Sequence, residues 1–203
     1  MWLLALVLFQ WSCKDDDPPL PPDGPDPEAT DTAYVWLTKG DQTKLLNPEA
    51  GLSIKSQRTG TWPLIQMDTT TTFQAMHGFG AALTGSSAYL LNRKLNATQR
   101  TQVLTSLFDP KQGIGISYLR LTIGASDFSL SDFSYDDLPA GETDFSLNHF
   151  SLAQDLQDVV PVLKEIIAIA PDIQLVGSPW SPPAWMKTNG SMKGGKLKPS
   201  CYS

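Results

Sequence analysis

From residue 78 onward, apolar runs alternate with helix-like stretches in the order strand, helix, strand, helix, strand. That alternation constrains the chain more than any other feature. The first strand is short, broken by Gly78 and Gly80, and runs straight into a helix. Residues 88–93 are helix-like, and Asn96 is placed to cap a second helix reaching Phe108. Gln99 stands three residues after Asn96, the spacing at which its side chain reaches back to the cap backbone. Val103, Leu104 and Leu107 are the expected buried face of that helix. Residues 114–124 form the second strand and residues 173–177 the third. Between them an apolar stripe of Leu152, Leu156, Val159, Val160, Leu163, Ile166, Ile167 and Ala170 predicts a helix over 152–170. Ser151 is its expected cap, and Pro161 either kinks it or marks its true start. Strands joined by helical crossovers run parallel, so the fold class is α/β and the loops after the strands share one end of the sheet.

The loop after the third strand carries two tryptophans among three prolines, Pro179, Trp180, Pro182, Pro183 and Trp185. Proline cannot donate to a sheet ladder, so the strand is expected to end at residue 177. The tryptophans either fold back onto the core or form a rigid aromatic platform at the sheet's end. Phe79, Asp127, Trp180 and Trp185 are the expected strand-end residues, with Arg120 further down the second strand. Together they suit a sugar. A carboxylate accepts hydrogen bonds from two neighbouring hydroxyls, and an indole offers a flat apolar face with one N–H donor. Asp127 equally suits a turn or a helix cap. Arg120, if buried, demands a nearby carboxylate, because an unpaired buried charge is expensive. The polar and aromatic loop over 130–150 is long enough to be functional.

Ahead of the α/β region, residues 33–75 read as a few strands of a small β unit without a helix. Residues 33–37 are expected to turn at Lys39, Gly40 and Asp41 and return along 44–46. Further short strand-like pieces lie at 52–54 and 64–67, and Thr69 to Thr72 extend the β-branched character. Residues 14–28 hold six prolines and six acidic residues, and 14–32 reads as a disordered tether. The apolar run over 2–9 has the length of a signal-peptide apolar region and is too short to span a bilayer as a helix. Cys13 follows it, with Lys14 and three aspartates behind. Residues 1–13 resemble a bacterial lipoprotein leader, which implies a lipid on Cys13 and a membrane-held, surface-exported protein of a Gram-negative bacterium. An ordinary cleaved signal peptide is the other reading.

A net charge of −6 leaves no basic stripe for nucleic acid. Cys13 and Cys201 stand at opposite ends of the chain and make no disulfide framework. His77 and His149 have no Cys or His partner at ligand spacing, so no metal centre and no cofactor are expected, and each histidine is read as structural.

Residues 77–85, 118–121, 125–129, 178–190 and 195–199 resemble glycoside hydrolase family 30, which includes glucosylceramidases, β-glucosidases and endo-β-1,6-glucanases. The resemblance covers residues 33–203. It implies a (β/α)₈ barrel, of which 76–203 would be the first part with about three βα units, and a β-sandwich side domain to which 33–75 would contribute. It also implies that Asp127 and Trp180 bind the sugar of a carbohydrate substrate, and that Arg120 supports the nucleophilic carboxylate; Trp185 is a further substrate-binding candidate, or mainly a wall of the pocket. Members are retaining enzymes with two glutamates about 5–5.5 Å apart across the scissile bond. The four glutamates here, Glu28, Glu49, Glu142 and Glu165, close no predicted barrel strand. The expectation is an N-terminal part of a longer enzyme, inactive alone, whose catalytic glutamates lie beyond Ser203. A non-catalytic, glycan-binding surface lipoprotein is the alternative.

Overall fold

The structure is a computed structural model that describes residues 32–54, 63, 68 and 70–202. The leader, Cys13, the tether up to residue 31 and the strand expected at 64–67 lie outside the described residues. The chain divides into two compact units, Met1–Met67 and Asp68–Ser203.

In the first unit, β1 (Thr32–Ala33) pairs antiparallel with β4 (Leu52–Ser53), and β2 (Trp36–Leu37) with β3 (Asn47–Pro48). The expected turn-back is present, but its return strand is Asn47–Pro48 rather than 44–46. The Lys39 N–H closes on the Lys44 carbonyl, and Leu46 takes a φ of 48°, which removes residues 44–46 from extended pairing. In the second unit, Thr70 to Thr72 form no strand.

The second unit is built on a three-stranded parallel sheet in the order β5 (Gly80–Leu83), β6 (Tyr118–Ile123), β7 (Gln174–Pro179). Gly80 is required where β5 meets β6, since a Cβ there would lie 1.9 Å from the Tyr118 carbonyl oxygen. β7 runs two residues past the predicted stop, with Ile123 opposite Pro179. β7 lies at an edge of the described sheet, and on an edge strand the missing proline N–H is tolerated. Phe79 precedes β5 and is exposed, so it sits at the amino end of its strand rather than at the carboxyl end expected of it.

Helix α1 (Gly85–Tyr89) begins at a capping box in which Thr84 and Ser87 exchange hydrogen bonds, and it passes into a π-turn over Leu90–Lys94. Helix α2 (Ala97–Phe108) starts as expected: Asn96 accepts from the Gln99 N–H at 2.9 Å and Gln99 accepts from the Asn96 N–H at 3.1 Å. Its buried residues are Leu104 and Phe108, with Leu107 packed beside them, whereas Val103 is exposed.

The predicted helix over 152–170 is shorter. α3 spans Val159–Ile169, and turns occupy 153–158. Pro161 therefore lies in the first turn, where its missing N–H has no intrahelical partner to lose. Ser151 caps a local turn through the Ala153 N–H, and Leu152 and Leu156 are exposed. The carbonyl of Gln157 and the carboxylate of Asp158 turn to Asn92 and Arg93 on the π-turn instead. Arg100 on α2 meets Glu165 on α3 at 2.9 Å.

The core lies between helices and sheet and comprises Leu83, Ala88, Leu104, Phe108, Leu119, Val159, Val162 and Ile166. Each buried aliphatic side chain contributes about 1.5–3 kcal/mol. Among the described residues no helix is long and apolar enough to cross a membrane.

Candidate functional site

Parallel pairing brings the carboxyl ends of β6 and β7 side by side, and the two following segments build the site. After β6, Gly124 takes a φ of 77°, and Ala125 and Ser126 are buried. Asp127 follows on the exposed turn they create. After β7, Trp180 is half-buried and directly follows the strand. These two expected sugar-binding residues are thus carried at the ends of adjacent strands.

Arg120 is one level lower. Its register partners are Ala82 and Val176, so it points to the same sheet face as they do. The guanidinium donates from Nη2 to the Ser178 Oγ at 3.1 Å. The carboxylate expected to pair with Arg120 is absent among the described residues. Arg120 is only half-buried and borders an open hollow of about 450 Å³ with His77, Gly80 and Tyr118, so water relieves part of the charge.

Trp185 is one of the tryptophans that folds inward. It lies in a short 3-10 turn, Ala184–Met186, and is 8% exposed. Its indole N–H donates to the Asp136 carbonyl at 3.0 Å, and Phe145 meets its ring edge-to-face with centroids 5.4 Å apart. Lys198 Nζ donates to the Trp185 carbonyl at 2.7 Å. The segment after β7 then folds back, pairing Lys187 with Leu197, and Lys193 reaches Asp132 at 2.7 Å.

Trp185 forms one wall of a cavity of about 630 Å³ between the 130–150 loop and the segment after β7. Its other walls include Ile123, Tyr135, Phe145, Phe150, Pro179 and Tyr202, a mainly apolar lining. Asp127, Trp180 and Arg120 do not line it. The sequence-predicted residues therefore separate: Trp185 shapes the cavity, Asp127 and Trp180 follow the carboxyl ends of β6 and β7, and Arg120 lies lower, beside the separate hollow.

The 130–150 loop also holds polar groups beneath its surface. The Tyr135 hydroxyl donates to Asp155, which burial raises above the ordinary carboxylate range against the opposing pull of that hydrogen bond. Burial, and next that same bond, push the Tyr135 phenol up to about 12. Asp136, Asp144 and His149 gather one ligand-capable atom each within 4.8 Å of one another. A search for Cys and His spacing passed over this group. The pattern that could have revealed it is two aspartates and a histidine within one loop already read as functional.

None of the described glutamates lies at the carboxyl end of a strand of the parallel sheet: Glu49 follows β3 of the first unit and pairs with Lys44, Glu142 lies in a loop turn, and Glu165 pairs with Arg100. Cys201 is free.

Comparison with known proteins places these features in a family context. The model of the glycosyl hydrolase family 30 TIM-barrel domain matches residues 76–200. Putative glucosylceramidase 4 of Caenorhabditis elegans is 37% identical over 132 residues, 64% of this chain and 24% of its own length. The lysosomal acid glucosylceramidase of Mus musculus is 34% identical over 148 residues, 72% of this chain and 28% of its own. An endo-1,6-β-D-glucanase of Neurospora crassa is 39% identical over 136 residues, 66% of this chain and 28% of its own. The chain thus spans about a quarter of the length of these relatives. Among solved structures, an endo-β1,6-glucanase aligns with a TM-score of 0.61 at 33% identity, over 82% of this chain and 36% of that one. SrfJ from Salmonella typhimurium aligns with a TM-score of 0.66 at 27% identity, over 84% of this chain and 37% of that one.

Proposed function

This chain belongs to glycosyl hydrolase family 30, and on that premise we propose that the protein is a retaining β-glycoside hydrolase acting on a β-glucosidic carbohydrate. The observation that carries the reading is the placement of Asp127 and Trp180 after the adjacent parallel strands β6 and β7. There an exposed carboxylate and a half-buried indole can address the hydroxyls and the C–H face of one sugar ring. Trp185, its N–H already engaged by Asp136, supports the wall of the pocket. Arg120, with a single hydroxyl partner, has donors left for the nucleophilic carboxylate that the retaining mechanism requires. In that mechanism one carboxylic acid protonates the leaving oxygen while the second carboxylate attacks the anomeric carbon, and water then releases the sugar.

Neither role is assigned to Glu49, Glu142 or Glu165. The 203 residues alone are accordingly read as catalytically incomplete, as the first part of a barrel whose two glutamates come from outside this sequence. The strands of residues 33–75 are assigned to a β-sandwich side domain, and residues 1–13 to a lipoprotein leader that places the protein on a bacterial surface through Cys13. Labelling with a fatty-acid analogue tests the anchor: incorporation that Cys13→Ala abolishes supports it, and unlabelled wild-type protein refutes it.

A surface setting favours an environmental β-glucan over a sphingolipid. Two of the relatives described above are an endo-1,6-β-D-glucanase and an endo-β1,6-glucanase by name. The test is turnover by the full-length protein on β-1,6-glucan, an aryl β-glucoside and glucosylceramide. Hydrolysis of either of the first two is expected. That no described glutamate follows a strand of the parallel sheet favours a second reading, a non-catalytic glycan-binding lipoprotein. Glucan binding without turnover would select it.

A further inference from the structure

The 130–150 loop contains a buried carboxylate whose electrostatics are incomplete. Asp136 is 3% exposed, and neither of its carboxylate oxygens has a hydrogen-bond partner. A buried carboxylate without donors is among the costlier arrangements in a protein interior. A second carboxylate adds to the problem. Asp144 is 5% exposed and brings a ligand-capable atom within 4.8 Å of one on Asp136.

His149 completes the group. Its backbone N–H donates to Asp144 Oδ2 at 2.7 Å, and its Nδ1 lies 3.0 Å from the same oxygen. Its side chain is 65% exposed, so the group is open to solvent on one side. The candidate ligand atoms of Asp136, Asp144 and His149 all lie within 4.8 Å of one another. A cation bound at about 2.0–2.2 Å to oxygen and nitrogen sets its ligands at most about 4.4 Å apart, so a small closure completes the site.

We propose that Asp136, Asp144 and His149 form a binding site for one divalent transition-metal cation of the Zn²⁺ type, open to water at the His149 side. Two carboxylates and a neutral imidazole around a dication give a locally neutral site, which removes the repulsion between Asp136 and Asp144. An imidazole among the donors selects against Ca²⁺ and Mg²⁺, which prefer all-oxygen shells, and favours Zn²⁺. The cation is structural. It fixes the loop whose Asp136 carbonyl holds the Trp185 indole, and so fixes the wall of the large cavity. Its binding is independent of which glycoside is cleaved.

The test uses the full-length protein, stripped with a chelator and titrated with Zn²⁺ by calorimetry, alongside Ca²⁺ and Mg²⁺. One equivalent of Zn²⁺ is expected to bind and to raise the melting temperature, with much weaker responses to the other two ions. Asp136→Asn is expected to abolish binding. If that variant does not fold, His149→Ala replaces it, because the exposed ring can be removed without opening the core. It should weaken Zn²⁺ by more than about tenfold, the scale at which even second-layer changes act. Absence of stoichiometric Zn²⁺ binding, or binding unchanged in a folded Asp136→Asn or His149→Ala variant, would overturn the proposal.

Discussion

The indole N–H of Trp185 donates to the backbone carbonyl of Asp136 at 3.0 Å, joining the segment after β7 to the loop after β6. The bond crosses 49 residues of sequence and lies inside the protein. Trp185→Phe keeps most of the ring volume and removes the donor, leaving a buried carbonyl unpaired. The expected loss is about 1–3 kcal/mol of stability, read as a lower urea midpoint with an unchanged slope.

Asp127 is exposed and sits outside the core, so its replacement isolates binding from folding. In the full-length protein Asp127→Asn should leave the melting temperature unchanged and lower kcat/KM by about 10- to 100-fold, the equivalent of one charge-assisted hydrogen bond. Trp180→Ala should lower kcat/KM by at least about tenfold through lost stacking area. Wild-type turnover by either folded variant contradicts the assignment of the strand ends to the sugar.

Arg120 has one hydroxyl partner, Ser178, and carries an uncompensated positive charge among the described residues. A cation beside a carboxylate lowers that carboxylate's pKa, so removing it raises the pKa. Arg120→Met should therefore lower kcat/KM by more than about tenfold and shift its acidic limb to higher pH. A reduced rate with an unmoved pH profile assigns Arg120 to structure rather than to the nucleophile.

Tyr135 and Asp155 share a hydrogen bond in which the phenol is the donor. Tyr135→Phe deprives the half-satisfied Asp155 carboxylate of that donor and raises its already elevated pKa further. The variant is therefore destabilised most where Asp155 is ionised, by about 1–3 kcal/mol at neutral pH, and less at pH 4, where protonation relieves the unpaired charge. In the wild type, the phenol's raised pKa means that its contribution is complete below pH 10 and lost as pH rises through about 12. Urea midpoints across pH for both proteins test the two limbs.

Much of the architecture was legible because local signals coincided with tertiary need. The Asn96 and Gln99 capping box placed the start of α2, and the alternation of elements gave the parallel sheet. The 152–158 stretch was misread because Leu152 and Leu156 continue the helical spacing of α3 while lying outside its packing. Pro161 held the correct signal, and periodicity overrode it. Arg120 was placed in its strand, but its partner, a hydroxyl from the next strand, depends on register and is invisible to composition. The sequence already separates Trp180, as the sugar-binding residue, from Trp185, as a candidate pocket wall. The fold adds the bond by which the Asp136 carbonyl holds Trp185 inside. The Asp136, Asp144 and His149 group arises from loop closure, which no fixed ligand spacing encodes.

The most direct measurement is proton NMR of the first sugar released when the full-length protein is given a β-1,6-linked glucan oligosaccharide. A retaining β-glycoside hydrolase predicts that the β-anomer appears first and mutarotates to the equilibrium mixture. First release of the α-anomer, or no hydrolysis under conditions where the glucan binds, would contradict the account.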